Sequence, residues 1–268
     1  MQRLRNTFNN LWAALIFFTR LPFWRLHEPP QQSYSHVVEW WPLCGWLTGG
    51  VMAAVLYGAS LVMPYSIAVI LAILSRLLIT GALHEDGLAD FFDGFGGGGT
   101  DRERILAIMK DSRIGTYGVI SLIVYFLLLF AALSYMSPMQ AALTILMADP
   151  FAKMISAQMI LMLPYARTAD TAKNRTVYQR PGIVACILLA VQGLIPLAAY
   201  MLVSVFYFGV MPSLSLIIFV PSLTMYALYY YLHRRLGGYT GDCCGAVCLL
   251  VELATLLSIL LSLSSPAA

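Results

Sequence analysis

Asp86, Asp90 and Asp93 stand in LHEDGLADFFDGF, residues 83–95, directly after a long apolar run. Their spacings of four and three place three carboxylates on one face of a helix. Carboxylates held together repel unless a cation sits among them, and hard oxygen ligands suit Mg²⁺. Acidic side chains beside a bilayer are costly, which marks each as functional by default. The pattern points to a metal site at a membrane surface. His84 lies about half a turn from the Asp86 face, so it fits a general base, a substrate contact or a capping histidine better than a metal ligand.

Two further polar motifs carry related chemistry. In MKDSRIGTYG, residues 109–118, Lys110 and Arg113 can neutralise phosphoryl charge, Arg113 bidentately. Asp111 can join the metal ligands, and Gly115 and Gly118 leave a helix N-terminus open to anions. A basic membrane flank with a helix cap explains the same residues, but the neighbouring acids favour function. In GGYTGDCCGA, residues 237–246, Asp242 can bind metal directly or through water, and Thr240 can donate to phosphate. Turn chemistry accounts for those glycines equally well; it does not account for Asp242 beside an apolar run. Gly96–Gly99 give a flexible turn without a Walker lysine, so they form no P-loop.

The elements that position these residues are membrane helices. Hydrophobic residues make up 60% of the 268 and charged residues 11%, where a soluble domain carries about 25% charged; mean hydropathy is +0.77. Apolar stretches near 40–63, 65–83, 116–136, 138–163, 183–207, 211–232 and 243–263 each approach the roughly 20 residues that cross a bilayer. The expected fold is an all-α polytopic integral membrane helical bundle. It has about seven transmembrane helices, with residues 8–19 as an N-terminal interfacial or re-entrant segment broken by Arg20 and Pro22. No signal-peptide cleavage site follows that segment. Residues 1–268 read as a single integral membrane domain, since the polar connections 84–115 and 164–182 are too short for separate cores.

Basic residues set the orientation. Arg3, Arg5, Arg20 and Arg25 precede the first span, and later basic connections hold Arg102, Arg104, Lys110 and Arg113, then Arg167, Lys173, Arg175 and Arg180, then Arg234 and Arg235. The connections near 64, 137 and 208–210 hold no Lys or Arg. The positive-inside rule puts the N-terminus and the polar motifs in the cytoplasm. A net charge of +3 suits anionic lipid or phosphorylated substrates, and basic residues scattered over separate loops exclude a nucleic-acid surface. The five cysteines lack paired metal spacing and read as small packing residues. Within spans, Asp149 and Lys153, four apart, can neutralise each other, and Glu252 can reach the site or pair with Arg76.

FFTRLP at 17–22, LHEDGLADFFDG at 83–94, MKDSRIGTYG at 109–118, PYAR at 164–167 and GGYTGDCCGA at 237–246 resemble, in order, the motifs of the cobalamin synthase family of adenosylcobinamide-GDP ribazoletransferases. The chain departs from that pattern after PYAR, where it reads TADTAKNRT, and at Cys243 and Cys244. The resemblance implies a phosphotransferase of late cobalamin biosynthesis in the inner membrane, its active site cytoplasmic. Its substrates would be adenosylcobinamide-GDP and α-ribazole or α-ribazole 5′-phosphate, with GMP leaving. Asp86, Asp90 and Asp93 would hold Mg²⁺, with Asp111 or Asp242 completing a two-metal arrangement. Arg113 and Lys110 would stabilise phosphate charge, Thr240 and Arg167 would contact substrate, and a carboxylate or His84 would take the hydroxyl proton. Other late corrinoid-pathway enzymes are conceivable docking partners on the cytoplasmic face. Two other readings stand behind this one. Asp90-x-x-Asp93-Gly94 matches the start of a CDP-alcohol phosphotransferase motif, but Gly96–Gly99 replace its Ala-Arg pair. An ion-coupled transporter would use Arg76, Asp149, Lys153 and Glu252, but would not leave the outer loops without charge.

Overall fold

Inside a bilayer a chain can satisfy its own N–H and C=O groups only as helices or a closed barrel. A computed structural model, which describes residues 2–166 and 178–264, takes the helical solution, with ten α-helices and no named strand among the described residues. α1 (Gln2–Phe18) leads through 3-10 segments at Phe23–Arg25 and Gln31–Trp40 into α2 (Trp41–Ser60). α3 (Tyr65–Thr80), α4 (Leu83–Gly97) and the short α5 (Arg102–Lys110) follow. The remaining helices are α6 (Thr116–Ser134), α7 (Pro138–Met162), α8 (Ile183–Phe208), α9 (Leu214–Leu236) and α10 (Gly241–Ser264).

Six helices among the described residues are long and apolar enough to cross a membrane, and the bent α3–α4 pair makes seven if it serves as one span. The expected polytopic bundle is therefore the one that forms. α1 is not in this set; it lies along the 3-10 segment Gln31–Trp40. The Trp12 indole N–H ties it to the Phe23 carbonyl at 3.0 Å.

α7 is the most enclosed of the spanning helices, and α2 reaches it through small residues. A Cβ on Gly45 would lie 2.8 Å from Pro150 Cα, and one on Gly49 would lie 3.0 Å from Asp149 Cβ. This Gly-x-x-x-Gly face lets two backbones approach where lipid gives no hydrophobic drive to association. The closeness also satisfies α7's buried charges. Thr48 donates to Asp149 Oδ2 at 2.6 Å, and Asp149 is ion-paired with Lys153 as their spacing predicts. Arg76 of α3 is equally buried: Nη1 meets Glu252 of α10 at 2.5 Å and Nη2 meets the Tyr125 hydroxyl of α6 at 2.6 Å. Glu252 thus pairs with Arg76, one of the two outcomes its position allows.

At one end of the bundle the connections are stapled together. Arg102 donates to the Leu236 carbonyl at 2.8 Å and the Ala166 carbonyl at 2.6 Å, drawing the ends of α7 and α9 to the start of α5. Arg235 donates to the Gly99 carbonyl. These contacts gather the polar motifs against α4.

Candidate active site

α4 leaves α3 at 90° because Gly81 (φ +65°) and Ala82 (φ +55°) both adopt left-handed backbone. Ala82 bears a Cβ there, at a cost of about 1–2 kcal/mol. The elbow is held from outside by the FFTRLP segment. Arg20 N–H donates to the Ile79 carbonyl at 2.7 Å, and its side chain covers Gly81 where a Cβ would stand. The break turns an apolar helix into one that carries HED in its first turn, with Glu85 and Asp86 at the favourable end of the dipole.

Glycines then bring α10 onto α4. A Cβ on Gly87 would lie 2.9 Å from the Asp242 carbonyl oxygen, and one on Gly245 would lie 3.2 Å from the His84 carbonyl oxygen. Asp242 occupies the first turn of α10. Asp86 and Asp242, from remote motifs, therefore line the same cavity, together with Thr240, Gly241, Gly245 and the rings of Phe17, Phe18, Trp41, His84, Tyr165 and Tyr178. Measured out to its open mouth it holds about 920 Å³. That figure includes the open solvent at its mouth.

The other expected site residues are distributed differently. Asp93, on the same helix as Asp86, is buried and faces the start of α6, where its two oxygens accept the N–H groups of Gly115 at 2.7 Å and Gly118 at 2.8 Å. A Cβ on Gly115 or Gly118 would strike that carboxylate, so the glycines of IGTYG make room for it. Asp90 is half-buried on α4. Asp111 and Arg113 form an exposed forked ion pair, with Nη2 to Oδ2 at 2.6 Å. The Arg113 contact holds the Asp111 carboxyl down at about 2, so it stays ionised. Lys110 is exposed at the end of α5. Neither Lys110 nor Arg113 lines the cavity, and Arg167 lies outside the described residues. The five acids named from sequence do not converge: among the described residues, no group of three or more His, Cys, Asp or Glu is placed to hold a metal. Helical spacing sets the face a residue occupies but not which neighbouring helix claims it.

Thr240 is buried, accepts the Cys243 N–H at 3.3 Å and points its own hydroxyl at Cys243 Sγ. It caps the start of α10 as well as lining the cavity. His84 is held by Trp41, whose indole N–H lies 3.3 Å from Nε2. An indole nitrogen can only donate, so Nε2 is the acceptor and a neutral His84 carries its proton on Nδ1. Burial holds the Tyr178 phenol well above its ordinary range, leaving it a neutral hydroxyl.

Sequence reasoning missed Glu85. It is buried, lies 3.8 Å from Arg76, and its Oε2 has no hydrogen-bond partner. The available signal was Arg76 itself, a cation within a span that needs counter-charges from its neighbours. The aromatic walls were missed too, because Phe17, Phe18, Trp41, Tyr165 and Tyr178 come from four separate stretches of chain.

A donor set of two accessible carboxylates suits Mg²⁺, which is commonly bound by one or two carboxylates and completed by water and substrate phosphate. The cavity therefore sets the carboxylates of Asp86 and Asp242 among aromatic side chains.

The cobalamin-5-phosphate synthase family model matches residues 10–260. A Ralstonia pickettii adenosylcobinamide-GDP ribazoletransferase is 36% identical over 266 residues, covering 99% of this chain and 100% of the relative. The enzyme of that name from Shewanella baltica strain OS155 is 34% identical, covering 90% of this chain and 89% of its own. One from Leptospira interrogans is 32% identical, covering 99% and 100%. No solved structure matches. With a match spanning all of the polar motifs and nearly every helix, the chain belongs to the cobalamin-5-phosphate synthase family.

Proposed function

We propose that this protein is an adenosylcobinamide-GDP ribazoletransferase of cobalamin biosynthesis, working at the cytoplasmic face of the inner membrane. The observation that carries the reading is the meeting of Asp86 and Asp242 in one aromatic-walled cavity at the polar end of the bundle. The basic connections support the cytoplasmic orientation.

A ribose hydroxyl of α-ribazole, or of its 5′-phosphate, attacks the cobinamide-side phosphorus of adenosylcobinamide-GDP. A new P–O bond forms, the bond to the bridging oxygen breaks, GMP leaves, and the hydroxyl proton passes to a carboxylate. Phosphoryl transfer needs positioning and charge neutralisation more than covalent chemistry. Asp86 and Asp242 orient the hydroxyl, and one of them receives its proton. His84 does not take that role while Nε2 accepts from Trp41; it fixes the wall beside Asp86 instead. Mg²⁺ would be held by Asp86 and Asp242, with Asp90 nearby on α4, and would neutralise diphosphate charge when bound. Lys110, at the end of α5, and Arg113, in the connection that follows, would supply positive charge toward the phosphates as substrate approaches.

The test is GMP release by the purified protein in nanodiscs, given Mg²⁺, adenosylcobinamide-GDP and α-ribazole or its 5′-phosphate. CDP-diacylglycerol plus an alcohol serves as the control. GMP formed together with a cobalamin product supports the assignment. CMP from the control alone would move the protein to phospholipid synthesis.

A further inference from the structure

Tyr178 lines the cavity together with Asp86 and Asp242, and the proposed chemistry leaves it without a role. Its place is set from two sides. The ring meets Phe17 edge-on, with centroids 6.1 Å apart and planes at 88°. The next residue, Gln179, donates its backbone N–H to the Ser35 carbonyl at 2.8 Å. The hydroxyl lies 4.0 Å from where a Cβ on Gly241 would stand, one residue before Asp242. Other polar groups of the wall are already engaged. The Trp41 N–H goes to His84, and the Thr240 hydroxyl points at Cys243 Sγ. The Tyr178 hydroxyl has no hydrogen-bond partner among the described residues. A phenol is uncharged at neutral pH and keeps a proton to donate.

We propose that Tyr178 contacts substrate, its hydroxyl donating a hydrogen bond to a non-bridging oxygen of the phosphorus under attack. The inference rests on the ribazoletransferase reading and adds a donor to its site. Asp86 and Asp242, as carboxylates, only accept hydrogen bonds, which suits them to the attacking hydroxyl and its proton. A phosphoryl oxygen is an acceptor as well, so a carboxylate cannot bond it directly. The phenol beside the acids supplies that donor without adding charge. Charge on the phosphoryl oxygens is redistributed as one P–O bond forms and the other breaks. A fixed donor aimed there therefore acts on rate more than on binding.

Steady-state GMP release in nanodiscs tests this with Tyr178→Phe, which removes one oxygen and keeps the ring against Phe17. The turnover number kcat should fall about tenfold or more, with both KM values nearly unchanged. The thermal unfolding temperature should stay at the wild-type value, because the hydroxyl has no protein partner to lose. A second readout replaces a non-bridging oxygen on the cobinamide-side phosphorus with sulfur, a poorer acceptor. For one diastereomer the oxygen-to-sulfur rate ratio should be about tenfold smaller in Tyr178→Phe than in wild type. Wild-type kcat in the variant, or equal sulfur effects in the two proteins, would overturn the contact. A loss confined to either KM would show a ground-state contact elsewhere on the substrates and overturn the phosphoryl assignment. A lowered unfolding temperature would give the hydroxyl to the protein and overturn it too. Absence of wild-type GMP release would sink the transferase reading itself, a separate result.

Discussion

Gly87 and Asp242 meet backbone to backbone, close enough that a Cβ at 87 would lie 2.9 Å from the Asp242 carbonyl oxygen and 3.1 Å from its Cα. The contact has no side chain on one partner, so it sets how near the two acid-bearing helices can come. Asp86 precedes Gly87, and both Asp86 and Asp242 line the cavity. A methyl group at 87 would push the two acid-bearing helices apart.

Gly87→Ala is expected to wedge α4 from α10 and lower GMP release about a hundredfold, the scale of loss when reacting groups are displaced by about 1 Å. Helix content by circular dichroism and a single peak in size-exclusion chromatography should persist. Wild-type turnover in this variant would show that the contact does not govern the pair.

Asp86 and Asp93 share a helix but should fail differently. Asp93 receives two backbone N–H groups at the start of α6. Asp93→Asn turns one acceptor into a donor facing a donor, a cost of about 1–3 kcal/mol. It should lower the thermal unfolding temperature by several degrees, with activity falling in step with folded protein. Asp86→Asn should abolish turnover at an unchanged unfolding temperature. An Asp93→Asn protein as stable as wild type yet inactive would return Asp93 to the chemistry.

Much of this arrangement is legible in the sequence because hydropathy and charge act locally. The spans follow from run length, the Asp149–Lys153 pair from helical spacing, and Glu252 as a counter-ion from the cost of a bare charge in lipid. The acidic motif announces a helix after the second apolar stretch, and α4 is that helix. What stays hidden depends on which helices become neighbours. Nothing in the spacing of Asp86, Asp90 and Asp93 says that Asp93 turns to Gly115 and Gly118 while Asp86 turns to α10. The right angle at Gly81–Ala82 is equally obscure, since no local preference puts an alanine in left-handed backbone.

If Asp86 and Asp242 hold Mg²⁺ as proposed, a two-carboxylate donor set would make metal binding depend on substrate phosphates. Chelation with EDTA should therefore abolish GMP release, and added Mg²⁺ should restore it. Asp242→Asn, keeping the shape and removing one charge, should raise the Mg²⁺ concentration needed for half-maximal rate about tenfold or more. Turnover that survives exhaustive chelation would remove the metal from the reaction.

Arg76 is shared by two carboxylates, with Glu252 at 2.5 Å and Glu85 at 3.8 Å. The two sides of this cluster should not be equally sensitive. Glu252→Gln leaves Arg76 with Glu85 and the Tyr125 hydroxyl, so its charge is still answered. Arg76→Met leaves two carboxylates buried near each other with no guanidinium between them, and breaking a buried pair from one side costs about 3–5 kcal/mol. Thermal unfolding in nanodiscs should rank wild type above Glu252→Gln, and Glu252→Gln well above Arg76→Met. Adding Glu252→Leu to Arg76→Met should recover part of the loss, because it removes one stranded charge. If Glu252→Gln proves as damaging as Arg76→Met, Glu85 is not acting as a second counter-ion, and its buried Oε2 needs a different partner.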